Sequence, residues 1–416
     1  MRSMTSRQQV RRAVITGLGV VAPNGVGADA FWKATRQGVS VLDRISREGC
    51  ADLPLRIAGQ VRDFDPQAVI DSRHLVQTDR FTHYAMAAAD QAVADAGFVP
   101  DPEHPYAVGV VTAAGSGGGE FGQGELQQLW GKGPQFVGPY QSIAWFYAAS
   151  TGQVSIRGGY KGPCAVVASD EAGGLDAIAH AARSVEHGTD AVVVGAAEAP
   201  LAPYSMVCQL GYPELSLADR PDRAYLPFSP DAAGFAPAEG GAMLLLEDEE
   251  TARRRGAAVR AYVAGHGATF TGASRWAESR EGLAAAVRIA LDRARISPEE
   301  VDVVFADALG IPAADRAEAL ALADALGPYA ERVPVTAPKS GTGRAYCGAP
   351  ALDAAAAVLA MEDGVLPPTP NVTEVAHDLA LVTGRARPAE LRTALVLSRG
   401  LMGSNSALVL RRGEPA

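Results

Sequence analysis

The chain is built twice over. An apolar stretch carrying two glycines, Ala13-Val14-Ile15-Thr16-Gly17-Leu18-Gly19, returns as Ala261-Tyr262-Val263-Ala264-Gly265-His266-Gly267. Each is read as a strand that ends in a GxG turn. Each is followed by residues at helical spacing: Phe81, Tyr84, Ala88, Ala92 and Ala96 in the first copy, Leu283, Val287, Ala290 and Ala294 in the second. β runs come next, at 107–112 and 301–306. Gly174-Leu175-Asp176-Ala177 then opens a helix that leads to a strand at 191–194, and Ala351-Leu352-Asp353-Ala354 opens one that leads to 394–397. Both copies close on a β run, at 242–246 and 407–410. A period this long is no solenoid repeat, so the pattern predicts two α/β halves packed on each other. The seam is expected at the charged stretch 247–255, which gives halves at 1–255 and 256–416.

Charge and cysteine usage exclude several classes. A net charge of −10 argues against a nucleic-acid or anionic-membrane surface. Cys50, Cys164, Cys208 and Cys347 lie far apart with no CxxC or Cys/His ligand spacing, which fits reduced thiols in a cytoplasmic protein. The basic start (Arg2, Arg7, Arg11, Arg12) and the apolar run 13–22 are read as a disordered tail and a first strand, because Gly17 and Gly19 interrupt the run and no small-residue cleavage site follows. No run approaches the length of a membrane-spanning helix. The glycine-rich loop 115–119 lacks the spacing of a nucleotide cradle, and Gly17-Leu18-Gly19 lacks the third glycine of a dinucleotide fingerprint. Arg253-Arg254-Arg255 is read as a short solvated basic patch, Cys164 and Cys347 as buried small residues, and Trp145-Phe146-Tyr147 as core or interface.

From Arg12 to Arg412 the order of elements resembles the thiolase-like ketosynthase fold: two duplicated βα halves packed as αβαβα layers. Gly162-Pro163 before the strand at 166–168 fits it. So do Arg223-Ala224-Tyr225-Leu226-Pro227-Phe228 with Gly234-Phe235 and Glu239-Gly240-Gly241-Ala242, Val335-Thr336-Ala337-Pro338-Lys339-Ser340, and Gly364-Val365-Leu366-Pro367-Pro368-Thr369. A decarboxylating ketosynthase needs a cysteine at a helix N-terminus, where the dipole favours the thiolate. It also needs two histidines to assist decarboxylation and hold the enolate oxygen. The resemblance places the cysteine at Glu171, one histidine at Asp307 and the other at Arg344. None of His74, His83, His104, His180, His187, His266 and His377 stands at either place. Lys339 is kept, with Asp315 and Glu318 downstream of Asp307.

Loss of all three groups is similar to the chain length factors, or ketosynthase β subunits, of bacterial type II polyketide synthases. Phe305-Ala306-Asp307, Thr342-Gly343-Arg344, Ala172-Gly173-Gly174-Leu175-Asp176, Glu120-Phe121 with Leu129-Trp130, and Tyr140-Gln141-Ser142 with Ala144-Trp145-Phe146-Tyr147 carry the likeness. The resemblance implies a subunit of an acyltransferase complex in polyketide antibiotic biosynthesis. It would pair with a Cys-bearing ketosynthase α subunit and bind no cofactor itself. The partner would take malonyl units from the phosphopantetheine of an acyl carrier protein. Most members carry Gln at the elbow, so Glu171 departs from the family.

Glu171 has two readings. As a catalytic group it would polarise or protonate a malonyl carboxylate for priming, which requires a raised pKa that a helix N-terminus opposes. As a structural group it caps backbone N–H donors and plugs a retired site. Asp307 and Arg344 favour the second reading, through an ion-pair or hydrogen-bond network that joins Glu171 to Arg344 and can extend to Asp307. Function then turns geometric. The resemblance implies a polyketide tunnel gated at Gly119, Gly122 and Leu126, which share one face if 119–126 is helical; the plain alternative is a flexible loop at 115–119. Two glycines would leave that face open. Tyr204 and Met206 match further lining positions and would narrow the far end. The implied product is long, of decaketide class or beyond.

Overall fold

The computed structural model describes residues 11–272, 276–400 and 402–413. The expected disordered tail at 1–10 lies outside the described residues. Strands β1 (Ala13–Ala22), β2 (Val108–Ala113), β3 (Cys164–Val167), β4 (Ala191–Glu198) and β5 (Gly240–Asp248) make up the first copy. Strands β6 (Ala261–Phe270), β7 (Val303–Phe305), β8 (Pro334–Thr336), β9 (Thr393–Arg399) and β10 (Ser404–Arg412) make up the second. They join in one mixed sheet, in the order β8-β7-β9-β10-β6-β1-β5-β4-β2-β3, with two-residue strands Ala380–Leu381 and Gly25–Val26 paired to β8 and β1. The two sets of five run in the same internal order and with the same mix of parallel and antiparallel pairs. Among the described residues the two sets pair where Val14 meets Tyr262 and Ile15 meets Ala261.

The main helices are α1 (Arg80–Asp95), α2 (Gly119–Lys132), α3 (Gln141–Ala144), α4 (Gly173–Glu186), α5 (Pro203–Gln209), α6 (Arg280–Ala294), α7 (Pro312–Leu326) and α8 (Gly348–Asp363). Helix α1 covers β1, β5 and β4; α6 covers β6 and β10; α4 and α8 pack on each other between the two strand sets. This is the expected αβαβα layering. Every residue of α8 from Gly348 to Met361 is buried, and all but Asp353 are apolar. Its many alanines let the layers on both sides approach closely.

The GxG pairs are not turns. β1 and β6 run straight through them, and the glycines are there because α1 and α6 lie against the strands. A Cβ on Gly17 or Gly19 would sit 2.0 or 1.8 Å from the carbonyl oxygens of Ala92 and Ala88. On Gly265 or Gly267 it would sit 2.2 or 2.0 Å from those of Ala290 and Ala286. Each copy also carries a β-bulge just before its first glycine, at Thr16 and at Ala264.

Two smaller expectations also change. Arg253-Arg254-Arg255 is not simply solvated: Arg255 donates to the buried Glu247 and to the carbonyls of Ala96 and Gly97, and Arg253 to Glu249. Cys164 is exposed, because β3 lies at the outer edge of the sheet. No helix among the described residues is long and apolar enough to cross a membrane.

Candidate functional site

The ends of β3, β7 and β9 bring Glu171, Asp307 and Arg399 together, with Arg344 bonded to all three. After β3 the chain makes one 3₁₀ turn, Asp170–Ala172, and then enters α4. Asp170 adopts a left-handed φ of 56°, so the elbow is tight. Glu171 sits in this turn, 1% exposed. It does not cap the helix as expected: one carboxylate oxygen, Oε2, accepts from Arg344 Nε, and the other, Oε1, has no partner. Arg344 is the hub. Its Nη1 donates to the carbonyl of Asp307 at 2.8 Å, and its Nη2 to Asp307 Oδ1 at 2.7 Å and to the carbonyl of Arg399 at 2.9 Å. Phe235 lies under the guanidinium, 5.7 Å from its ring centre.

A second arginine completes the cluster. Arg399, the last residue of β9, donates its backbone N–H to Asp307 Oδ1 and its Nε to Oδ2, both at 2.9 Å, and its Nη2 to Glu318 Oε2 at 3.0 Å. Glu318 in turn accepts the backbone N–H groups of Asp307 and Ala308. Lys339 Nζ donates to the carbonyls of Ala306 and Asp307 and pairs with Asp353 at 2.5 Å. The sequence reading missed Arg399 altogether. Nothing in Ser398-Arg399-Gly400 distinguishes a buried arginine from a surface one.

Electrostatics follow from this packing. Burial alone would raise the Asp307 carboxyl, but Arg344, Arg399 and Lys339 overturn that and hold it well below the usual carboxylate range. Glu171 goes the other way: burial pushes it up to about 7, with Arg344 opposing and Asp170 and Asp307 assisting. Between pH 4.5 and 7 the folded chain therefore binds a proton at Glu171 that the unfolded chain releases. Its burial costs most stability above pH 7 and least near pH 4.5. Glu171→Gln is therefore expected to stabilise the chain at pH 8 by up to about 3 kcal/mol and much less at pH 5. Thermal melts of both proteins at the two pH values check this; a pH-independent difference would contradict it.

The thiol nearest the elbow is not activated. Cys347 is buried beside the elbow, with Sγ 3.0 Å from the carbonyl of Asp170, and burial and Glu198 push its pKa well up, away from the reactive thiolate. A groove of about 1200 Å³ at the opposite end of the strands is lined by Arg11, Arg12, Arg253 and others, but these three already pair with Asp190, Asp248 and Glu249. It contains none of the candidate residues.

The expected gate is a separate region. Residues 119–132 form α2, so Gly119, Gly122 and Leu126 share a face. That face is not empty, contrary to the expectation from the glycines. A Cβ on Gly119 would meet Ser205 Oγ at 2.1 Å, and one on Gly122 would meet Trp145 Cδ1 at 2.9 Å. Leu126 is partly exposed. Tyr204, half exposed at the start of α5, donates its backbone N–H to Gln123 Oε1 of α2 at 2.8 Å. Met206, two residues further along α5, is fully buried with Leu42, Cys50, Leu55 and Phe235. Trp145, Phe146 and Tyr147 are 53%, 44% and 42% exposed, so they are not core within this chain.

Two family models together match most of the chain: beta-ketoacyl synthase, N-terminal domain, over residues 10–252, and beta-ketoacyl synthase, C-terminal domain, over 260–373. The chain belongs to the beta-ketoacyl synthase family. A putative polyketide beta-ketoacyl synthase 2 of Streptomyces coelicolor is 72% identical over 404 residues, covering 97% of this chain and 95% of the relative. The tetracenomycin polyketide synthase ketoacyl synthase beta subunit of Streptomyces glaucescens is 51% identical over 404 residues, covering 96% and 98%. Among solved structures, the ishigamide ketosynthase/chain length factor superposes with a TM-score of 0.87 at 29% identity, covering 97% of this chain and 99% of that one. Within the ketosynthases the chain is thus a β subunit, or chain length factor, of the type II polyketide systems. In this β subunit Glu171, Asp307 and Arg344, the positions singled out in the sequence, are joined in one buried ion network.

Proposed function

We propose that this subunit performs no acyl transfer itself. It pairs in the cytoplasm with a Cys-bearing ketosynthase α subunit and shapes the tunnel into which the partner's polyketide grows. Malonyl units reach the partner on an acyl carrier protein. Gly119, Gly122 and Leu126 line the tunnel, with Tyr204 at its margin, and the product is long, of decaketide class or beyond. The observation that carries this reading is Arg344, fully buried between Glu171 and Asp307 with its guanidinium bonded to both. A site occupied by this ion network presents no thiol nucleophile at the elbow. The exposed apolar side chains around α2 and α3, namely Trp130, Phe136, Trp145, Phe146 and Tyr147, support a partner on that face.

One observation favours a second reading. Glu171 has an unpartnered oxygen, and burial pushes its carboxyl up to about 7, as general-acid work in malonyl decarboxylation requires. Glu171→Ala, co-expressed with the ketosynthase and assayed with malonyl-loaded carrier, separates the two. Turnover within about two- to threefold of the parent supports the non-catalytic reading; a fall of about 10²–10⁴-fold, the usual worth of a general acid, supports the decarboxylase.

A further inference from the structure

Gly117, Gly118 and Gly122 share one cause. Gly118 donates its backbone N–H to the carbonyl of Trp145 at 3.1 Å. A Cβ on Gly117 would lie 2.5 Å from that same carbonyl oxygen, one on Gly118 2.0 Å from the carbonyl oxygen of Ala144, and one on Gly122 2.9 Å from Trp145 Cδ1. The segment 144–147 is pressed against the start of the helix, and its indole lies on the face that Gly122 keeps flat. Leu126 continues the same face one turn on, and about half of the indole remains open to whatever covers this surface.

We infer that Trp145 is the specificity-determining side chain of this subunit, Gly122 of α2 serving to seat its ring across the path of the product. This rests on the tunnel reading above. A bare glycine face would set no limit on the growing chain, whereas an indole lying on it does. An aromatic ring carries a large contact area on only two side-chain torsions, so its position is well defined.

The test is Trp145→Ala in the co-expressed heterodimer, with product length read by mass spectrometry and pairing checked by co-purification. The expected result is a main product longer by whole two-carbon units, with Trp145→Phe returning most product to the parental length. Parental length from an intact Trp145→Ala heterodimer would overturn the inference. If that variant does not pair, Gly122→Ala decides. It keeps the indole but displaces it, so a changed length supports the inference and an unchanged one overturns it. Gly119→Phe with Gly122→Thr separates the two levels: shortening there with no effect of Trp145→Ala sinks Trp145 alone. No effect of either sinks the tunnel as well.

Discussion

Arg344→Ala is expected to destabilise the chain by about 3–5 kcal/mol, the usual cost of breaking a buried ion pair from one side. The change strips Glu171 of its one partner and leaves the carbonyls of Asp307 and Arg399 without a donor they now use. Asp307 keeps Arg399, so the loss does not extend through the whole cluster. Arg344→Lys should recover only part, because an ammonium cannot span two carboxylates and two carbonyls as a guanidinium does. Arg344→Met with Glu171→Gln should be more stable than Arg344→Met alone, since no carboxylate is then left unpaired. Thermal and denaturant melts of the purified variants measure this. A loss below about 1 kcal/mol, the range of exposed pairs, would mean that water reaches the cluster and the site is not sealed.

Val166→Pro is expected to abolish pairing with the ketosynthase while sparing the fold. β3 is the outer strand of the sheet, bonded to β2 on one side only. The amides of Val110 and Ala114 donate to the carbonyls of Pro163 and Val167, so alternate residues of β3 face β2 and the backbone of Cys164 and Val166 faces outward. An open edge of this kind is where another chain adds a strand. Proline removes the outward N–H of Val166 without breaking a bond to β2, and edge strands tolerate it. Co-purification should fall at least about tenfold, which corresponds to about 1.4 kcal/mol. Undiminished pairing would mean that the β3 edge takes no part in the interface.

The duplicated architecture was legible because strand and helix periods alternate in the same order in both copies, and burial enforces those periods. The GxG pairs were misread for a physical reason. A glycine marks either a backbone angle or a close approach, and only the position of α1 and α6 shows that it is the approach. At the site, the absence of cysteine and histidine was plain from Glu171, Asp307 and Arg344, and so was the pairing of Arg344 with Glu171. Arg399 was invisible because it lies 92 residues from Asp307 and its burial depends on three strands meeting. The occupants of the gate face were hidden in the same way. Trp145 and Ser205 come from separate segments, and glycine alone cannot report what stands opposite it.

The central claim is that this subunit governs product length without doing chemistry. The most direct test is the mass of the polyketide made by the co-expressed heterodimer carrying Gly119→Phe with Gly122→Thr, compared with the parent. The side chain introduced at position 119 must displace Ser205, and the one at position 122 must displace the Trp145 ring, so both project from the α2 face. The account predicts a product shorter by one or more two-carbon units, made at a comparable rate by a heterodimer of normal yield. A product of unchanged length from an intact, active complex would contradict it.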